Sequence, residues 1–219
     1  LIISLLAFLW SFTISEPSAA PQAQKQLVSI WPVLKNPVVS AFFLIELILL
    51  FSHAPFYSFY SNYLKIHGFS TTMIGSLWSI GVIAEIVMFA CAQFFFSRWG
   101  MRTLVIACLV LTALRWMMVG ILPESWVAQI FAQSIHAFSF GLFHLIAMRI
   151  IFQYFSPQQQ GRAQALYSTM WGIGVAVGSI LAGQYWQILG GEMIFILAGF
   201  ATLLGLVLVH RLPNQIQVQ

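Results

Sequence analysis

Long apolar runs separated by short polar intervals set the pattern of this chain. After a first run at Leu1–Ile14 and a polar stretch, they cover Val38–Tyr63, Thr72–Phe96, Leu104–Leu122, Trp126–Tyr154, Ala163–Leu189 and Met193–Val209. A helix needs about 20 apolar residues to cross a bilayer core. The six later runs therefore predict six complete membrane helices in an all-α fold. The breaks carry turn signals, namely His67-Gly68, Trp99-Gly100, Pro123, Pro157 and Gly190-Gly191, as chain reversals require.

The first run, Leu1–Ile14, is too short to span, and the chain opens without a methionine. It reads as the end of a helix whose beginning is missing. A secretory leader is the alternative, because Ser18-Ala19-Ala20 imitates a cleavage site. Against it, no basic residue precedes the run and Pro21 would follow the cut. Residues 15–37 hold Pro17, Pro21, Pro32 and Pro37 among Gln22, Gln24, Lys25, Gln26 and Lys35, a proline-punctuated linker. The expected division is a helix end at 1–14, a linker at 15–37, a six-helix bundle at 38–211 and a tail at 212–219.

Short loops make consecutive helices antiparallel. Lys25, Lys35, Arg98, Arg102, Arg162 and Arg211 then fall on the linker side, and Lys65 falls opposite. This bias predicts a multi-pass inner (plasma) membrane protein with linker and tail in the cytoplasm.

Composition agrees: 60% of residues are hydrophobic and 6% charged, against about 25% charged in a soluble domain. The net charge of +4 comes from single basic residues between apolar runs, so it marks no nucleic-acid surface. Cys91 and Cys108 lie inside apolar runs and read as small buried hydrophobes rather than a disulfide or metal pair. Neither a phosphate-binding glycine loop nor zinc-protease spacing occurs, so no metal and no cofactor is expected. An intramembrane hydrolase is disfavoured too: Ser134 and His136 are two residues apart on a helix and do not face one another.

Ionisable residues inside a membrane helix cost about 2.5–3.5 kcal/mol each on insertion scales, so they call for a partner, a wet cavity or a function. Glu46 and His53 share one face of the first complete helix with Leu50, Tyr57 and Tyr60. Glu85 lies in the middle of the second, with Trp78 and Gly81 on its face. A carboxyl there can hold or release a proton, since burial favours the acid and a nearby cation the anion. Arg115 on the third helix supplies that cation. The fourth aligns Gln129, Gln133, His136, Phe140 and His144 on one broad face, and histidine suits a proton relay.

Glu85, His136, Arg115 and Glu46 are the candidates for proton coupling. His53, Tyr57, Trp78, Gln133, His136, Phe140 and His144 are the candidates for solute binding. Blander readings stand beside these. His53 and His136 suit interhelical hydrogen bonding equally well, Glu85 and Arg115 suit a structural ion pair, and Arg149 suits snorkelling toward headgroups. In the fifth complete run, Ala163–Leu189, Gly174 and Gly178 have small-xxx-small spacing, which favours close packing within one subunit over a dimer interface. His53-Ala54 and His136-Ala137 hint at internal symmetry.

From the linker onward the chain resembles the 3-phenylpropionate permease family of the major facilitator superfamily, related to nucleoside and oligosaccharide proton symporters. The resemblance is carried by Gln133-x-x-His136-x-x-x-Phe140-x-x-x-His144-Leu145-x-Ala147-Met148-Arg149, by Leu77-Trp78-Ser79-x-Gly81-Val82-x-Ala84-Glu85, and by Arg115-Trp116. His53-Ala54 with Tyr57, and Gln164-Ala165-x-Tyr167-Ser168, add to it. It implies that the six complete helices are the seventh to twelfth of a twelve-helix transporter and that residues 1–14 end the sixth. An amino-terminal half, a small-molecule substrate, protons and membrane lipid would be the partners.

Two departures stand out. In Ser97-Arg98-Trp99-Gly100-Met101-Arg102, Ser97 replaces the acidic residue of the superfamily loop motif, and Gln93 stands where a glycine is usual. Glu85, Arg115 and His136 resemble the Glu, Arg and His of oligosaccharide symporters, but Ser139 stands where those place a second carboxylate. The expected function is proton-coupled symport of a small organic solute of the aromatic carboxylate class. The alternative is a transporter-like sensor or assembly subunit that binds without translocating.

Overall fold

The computed structural model describes residue 10 and residues 28–214. The expected helix end at 1–14, apart from Trp10, most of the linker and residues 215–219 of the tail lie outside them. All regular elements among the described residues are helical. A short α1 (Trp31–Leu34) precedes α2 (Pro37–Ile66), α3 (Thr71–Arg98), α4 (Met101–Ile121) and α5 (Trp126–His136). A π-helical stretch (Ala137–Leu142) joins α5 to α6 (Phe143–Tyr154), followed by α7 (Pro157–Leu204) and α8 (Leu206–Val209).

Helix starts are set by local chemistry. Asn36 Oδ1 accepts the Val38 N–H at 2.9 Å with Pro37 as the first helical residue, and Ser70 and Ser125 cap α3 and α5 in the same way. The Gln159 side chain accepts the Ser156 N–H at 3.0 Å at the start of α7.

Among the described residues, five helical runs are long and apolar enough to cross a membrane, the last being Pro157–Val209. That run is broken at Gly190, whose φ of 79° and ψ of 157° belong to a backbone region open essentially to glycine alone. Before the break, Gly174 lies against Leu47 and Leu50, Gly178 against Phe51 and Ala54, and Gly183 against Phe59, so this first arm runs parallel to α2. After it, Glu192 and Ile196 meet Gly120, Gly199 meets Ala113, and Gly205 meets Leu109. The second arm is therefore antiparallel to α4, and the chain has turned back at Gly190.

Close approach of α2 and the first arm has a backbone cause. Pro55 inside α2 has no N–H to return to the Phe51 carbonyl. Gly178 packs on that carbonyl so closely that a Cβ would stand 2.5 Å from its oxygen. The free acceptor thus faces a Cα–H rather than a methyl group.

Among the described residues, buried side chains form two apolar clusters. One, at the Asn36 end, gathers Phe42, Leu49, Val105, Leu109, Leu142, Phe143 and Tyr167. The other, at the His67 end, gathers Phe56, Tyr60, Tyr63, Leu77, Trp116 and Phe195. Ser52, His53, Thr112, Arg115, Gln133, His136 and Ser139 are buried between them and form a polar layer. Polar clasps hold the ends: His67 Nε2 meets Glu192 Oε1 at 2.9 Å, Arg102 donates to the carbonyls of His210 and Leu212, and Gln159 donates to the Ser29 carbonyl at 2.7 Å.

Candidate substrate and proton site

The polar layer is built from the faces of α2, α3, α4 and α5. Arg115, wholly buried on α4, donates through Nη1 to His136 Nδ1 at 2.7 Å and to Ser139 Oγ at 3.2 Å, and through Nη2 to Gln133 Oε1 at 3.4 Å. Its guanidinium carbon lies 4.3 Å from the ring centres of both Phe56 and Trp116, a cation–π setting for a charge with no water around it. The other imidazole nitrogen of His136 meets Glu85 Oε1 at 2.6 Å. Glu85 and Arg115 therefore communicate through His136 rather than by direct contact.

The hydrogen-bond roles follow from the donors. Guanidinium has no lone pair to offer, so His136 Nδ1 must be unprotonated where Arg115 donates to it. The ring proton then sits on Nε2 and is donated to the Glu85 carboxylate. This arrangement holds one proton between Glu85 and His136 and blocks the second imidazole nitrogen. Gly81 makes room for it, because a Cβ there would lie 3.1 Å from Gln133 Oε1.

His53 borders the layer from α2. Its Nδ1–H donates to the Leu49 carbonyl at 2.8 Å, which leaves Nε2 as an acceptor with no partner among the described residues. Its ring meets Trp116 edge-on at 4.9 Å and lies 6.4 Å from His136. Tyr57 extends this wall, 6.1 Å from His53 and 5.7 Å from Trp171. Trp78 packs on Phe56 at 4.6 Å and donates to Ser61 Oγ at 3.0 Å.

Beyond His136 the helix widens into the π-helical stretch. One extra residue per turn is a device found often at functional sites. Here it keeps His136, Phe140 and His144 stacked at 5.6 and 6.3 Å with rings tilted by 18° and 9°. His144 Nδ1 bonds the Tyr167 hydroxyl on α7 at 3.2 Å.

Most residues singled out in the sequence thus meet in one place. Glu85, Arg115, His136, Gln133 and His53 form the layer, with Tyr57, Trp78, Phe140 and His144 around it. Glu46 stands apart, about two turns nearer the Asn36 end of α2. Arg149 lies over the Phe96 ring at 3.7 Å. Three contributors gave little signal in the sequence. Phe56 is one phenylalanine among 20, Ser139 drew notice only as a missing carboxylate, and Tyr167 only within Gln164-Ala165-x-Tyr167-Ser168, 23 positions from the residue it bonds.

Residues 2–197 match the MFS_1 like family. The chain belongs to this family of the major facilitator superfamily. It is similar to the probable 3-phenylpropionic acid transporter of Escherichia coli (strain K12), with 31% identity over 200 residues, 89% of this chain and 51% of that protein. The chain spans about half the length of that relative. Both findings place it with multi-pass membrane transporters rather than with enzyme families.

Proposed function

We propose that this chain is the six-helix carboxy-terminal half of a twelve-helix, proton-coupled symporter of the inner membrane, with its Asn36 end in the cytoplasm. Its solute is a small organic acid, with 3-phenylpropionate-like aromatic carboxylates as the class. The observation that carries the reading is the buried chain Glu85–His136–Arg115. The family supports transport, the relative's name supports the solute class, and the half-length match supports a preceding bundle.

Coupling follows from competition for Arg115. A solute carboxylate reaching the layer offers a bidentate partner that imidazole cannot match. As Arg115 turns to it, His136 Nδ1 is released and the His136–Glu85 pair can accept a second proton, so anion and proton enter together. Departure of the solute restores the Arg115–His136 bond and expels that proton. Tyr57, Trp78, Phe140 and Trp171 offer aromatic faces to the rest of the solute. Alternating access then carries the loaded layer from one side to the other.

Uptake of 3-phenylpropionate into proteoliposomes holding the complete transporter tests this. The intact protein should accumulate solute when the outside is made acid. Glu85→Gln should lose accumulation yet retain exchange of labelled for unlabelled solute. Accumulation by Glu85→Gln at the unmodified level would overturn the reading, whereas solute binding without any flux in the intact protein would favour a non-transporting sensor.

A further inference from the structure

Glu46 is wholly buried within the apolar cluster at the Asn36 end, outside the polar layer, and neither of its carboxyl oxygens has a hydrogen-bond partner among the described residues. Burying a carboxylate without a donor costs far more than burying the corresponding acid. Among the described residues Glu46 clasps no helix end and holds no other side chain, so packing there does not call for an acid. Leucine would fill the position better.

What surrounds it suggests a use. One turn earlier on α2, Phe42 stacks on Phe143 at 5.3 Å with the rings 15° apart. That contact packs the turn of α2 before Glu46 against the start of α6. From α7 comes Tyr167, buried in the same cluster, within electrostatic range of Glu46 and bonded to His144 at 3.2 Å. From α4 the cluster receives Cys108. His144 in turn is stacked through Phe140 on His136, and it lies within electrostatic range of Glu85.

We infer that Glu46 is a second proton station, reached from the Glu85–His136 pair through His144 and Tyr167. The inference rests on the proton coupling proposed above. Glu46 lies seven residues before His53 on α2, about 10 Å nearer the Asn36 end at 1.5 Å per residue, which is the cytoplasmic side in that reading. As His144 Nε2 takes up the proton released by Glu85, His144 passes its Nδ1 proton to the Tyr167 oxygen while the Tyr167 hydroxyl proton moves to the Glu46 carboxylate, whose side chain turns to receive it. One proton is displaced and no electrons change hands. The station lets the polar layer reset before the proton leaves the protein.

Infrared difference spectra of the reconstituted complete transporter, taken between acid and alkaline media, test this without any solute. A carbonyl band of a buried carboxylic acid should disappear in Glu46→Gln and persist in Glu85→Gln. Tyr167→Phe should keep the band but slow its response to a pH jump by about a hundredfold, the lower end of what a positioned proton-transfer group supplies. Survival in Glu46→Gln of the acid band that persists in Glu85→Gln, or a pH-jump response unchanged by Tyr167→Phe, would overturn the inference. Failure of the underlying reading shows separately, as proton-driven accumulation by Glu85→Gln.

Discussion

Arg115 is the side chain on which the polar layer depends, and its geometry separates arginine from lysine. One planar group donates to His136, Ser139 and Gln133 while lying over Phe56 and Trp116. An ammonium cannot reproduce that fork. Arg115→Lys should therefore weaken binding of 3-phenylpropionate about tenfold, or about 1.4 kcal/mol, as read by titration of the purified transporter. Undiminished affinity would show that Arg115 does not receive the carboxylate. Glu85, Arg115 and the histidines of this layer were legible because ionisable residues in apolar runs are rare and conspicuous, whereas Ser52 and Thr112 were not. Phe56 was not, since only the folded chain distinguishes a ring under a guanidinium from a ring against lipid. That Glu85 reaches Arg115 through His136 was likewise beyond the sequence, because periodicity fixes a face of a helix and not the reach of a side chain across to another.

At the scale of elements, helix positions were legible and junctions less so. The apolar runs and their turn signals foretold α2 to α4 to within a few residues, because membrane length and caps both act locally. At Gly190 the helices on either side join with a single non-helical residue, so what reads as a loop in the sequence is a fold within one continuous run. The π-helical stretch left no mark either, since its extra residue is set by packing against α3 and α4. The glycine spacing in α7 proves to be packing within the chain, onto the carbonyl that Pro55 leaves free. Gly178→Ala, with Ala54 Cβ 2.6 Å from the added methyl, should lower stability in detergent by about 1–3 kcal/mol. Gly172→Ala, where nothing lies within 4 Å, should shift it by less than about 0.5 kcal/mol. Equal effects on thermal unfolding would refute the packing account.

For the whole molecule, two apolar clusters enclose a buried polar layer between them. On α3, Val82, Ile83, Ile86 and Val87 remain exposed, although Glu85 within the same stretch is tied inward to His136. In the proposed transporter, lipid and the preceding half cover such surfaces. Orientation is testable independently: single cysteines placed at position 65 should react with an impermeant thiol reagent from outside, and those at 98 and 162 from inside only, given the basic-residue bias. The reverse pattern would invert the direction in which Glu46 is reached. The coupling claim itself is tested most directly by a pH dye trapped inside proteoliposomes. On external addition of 3-phenylpropionate, vesicles with the intact transporter should acidify internally beyond the change in protein-free vesicles, and those with Glu85→Gln should match the protein-free control. Protein-mediated solute entry with no acidification beyond that control would contradict proton coupling through Glu85, His136 and Arg115.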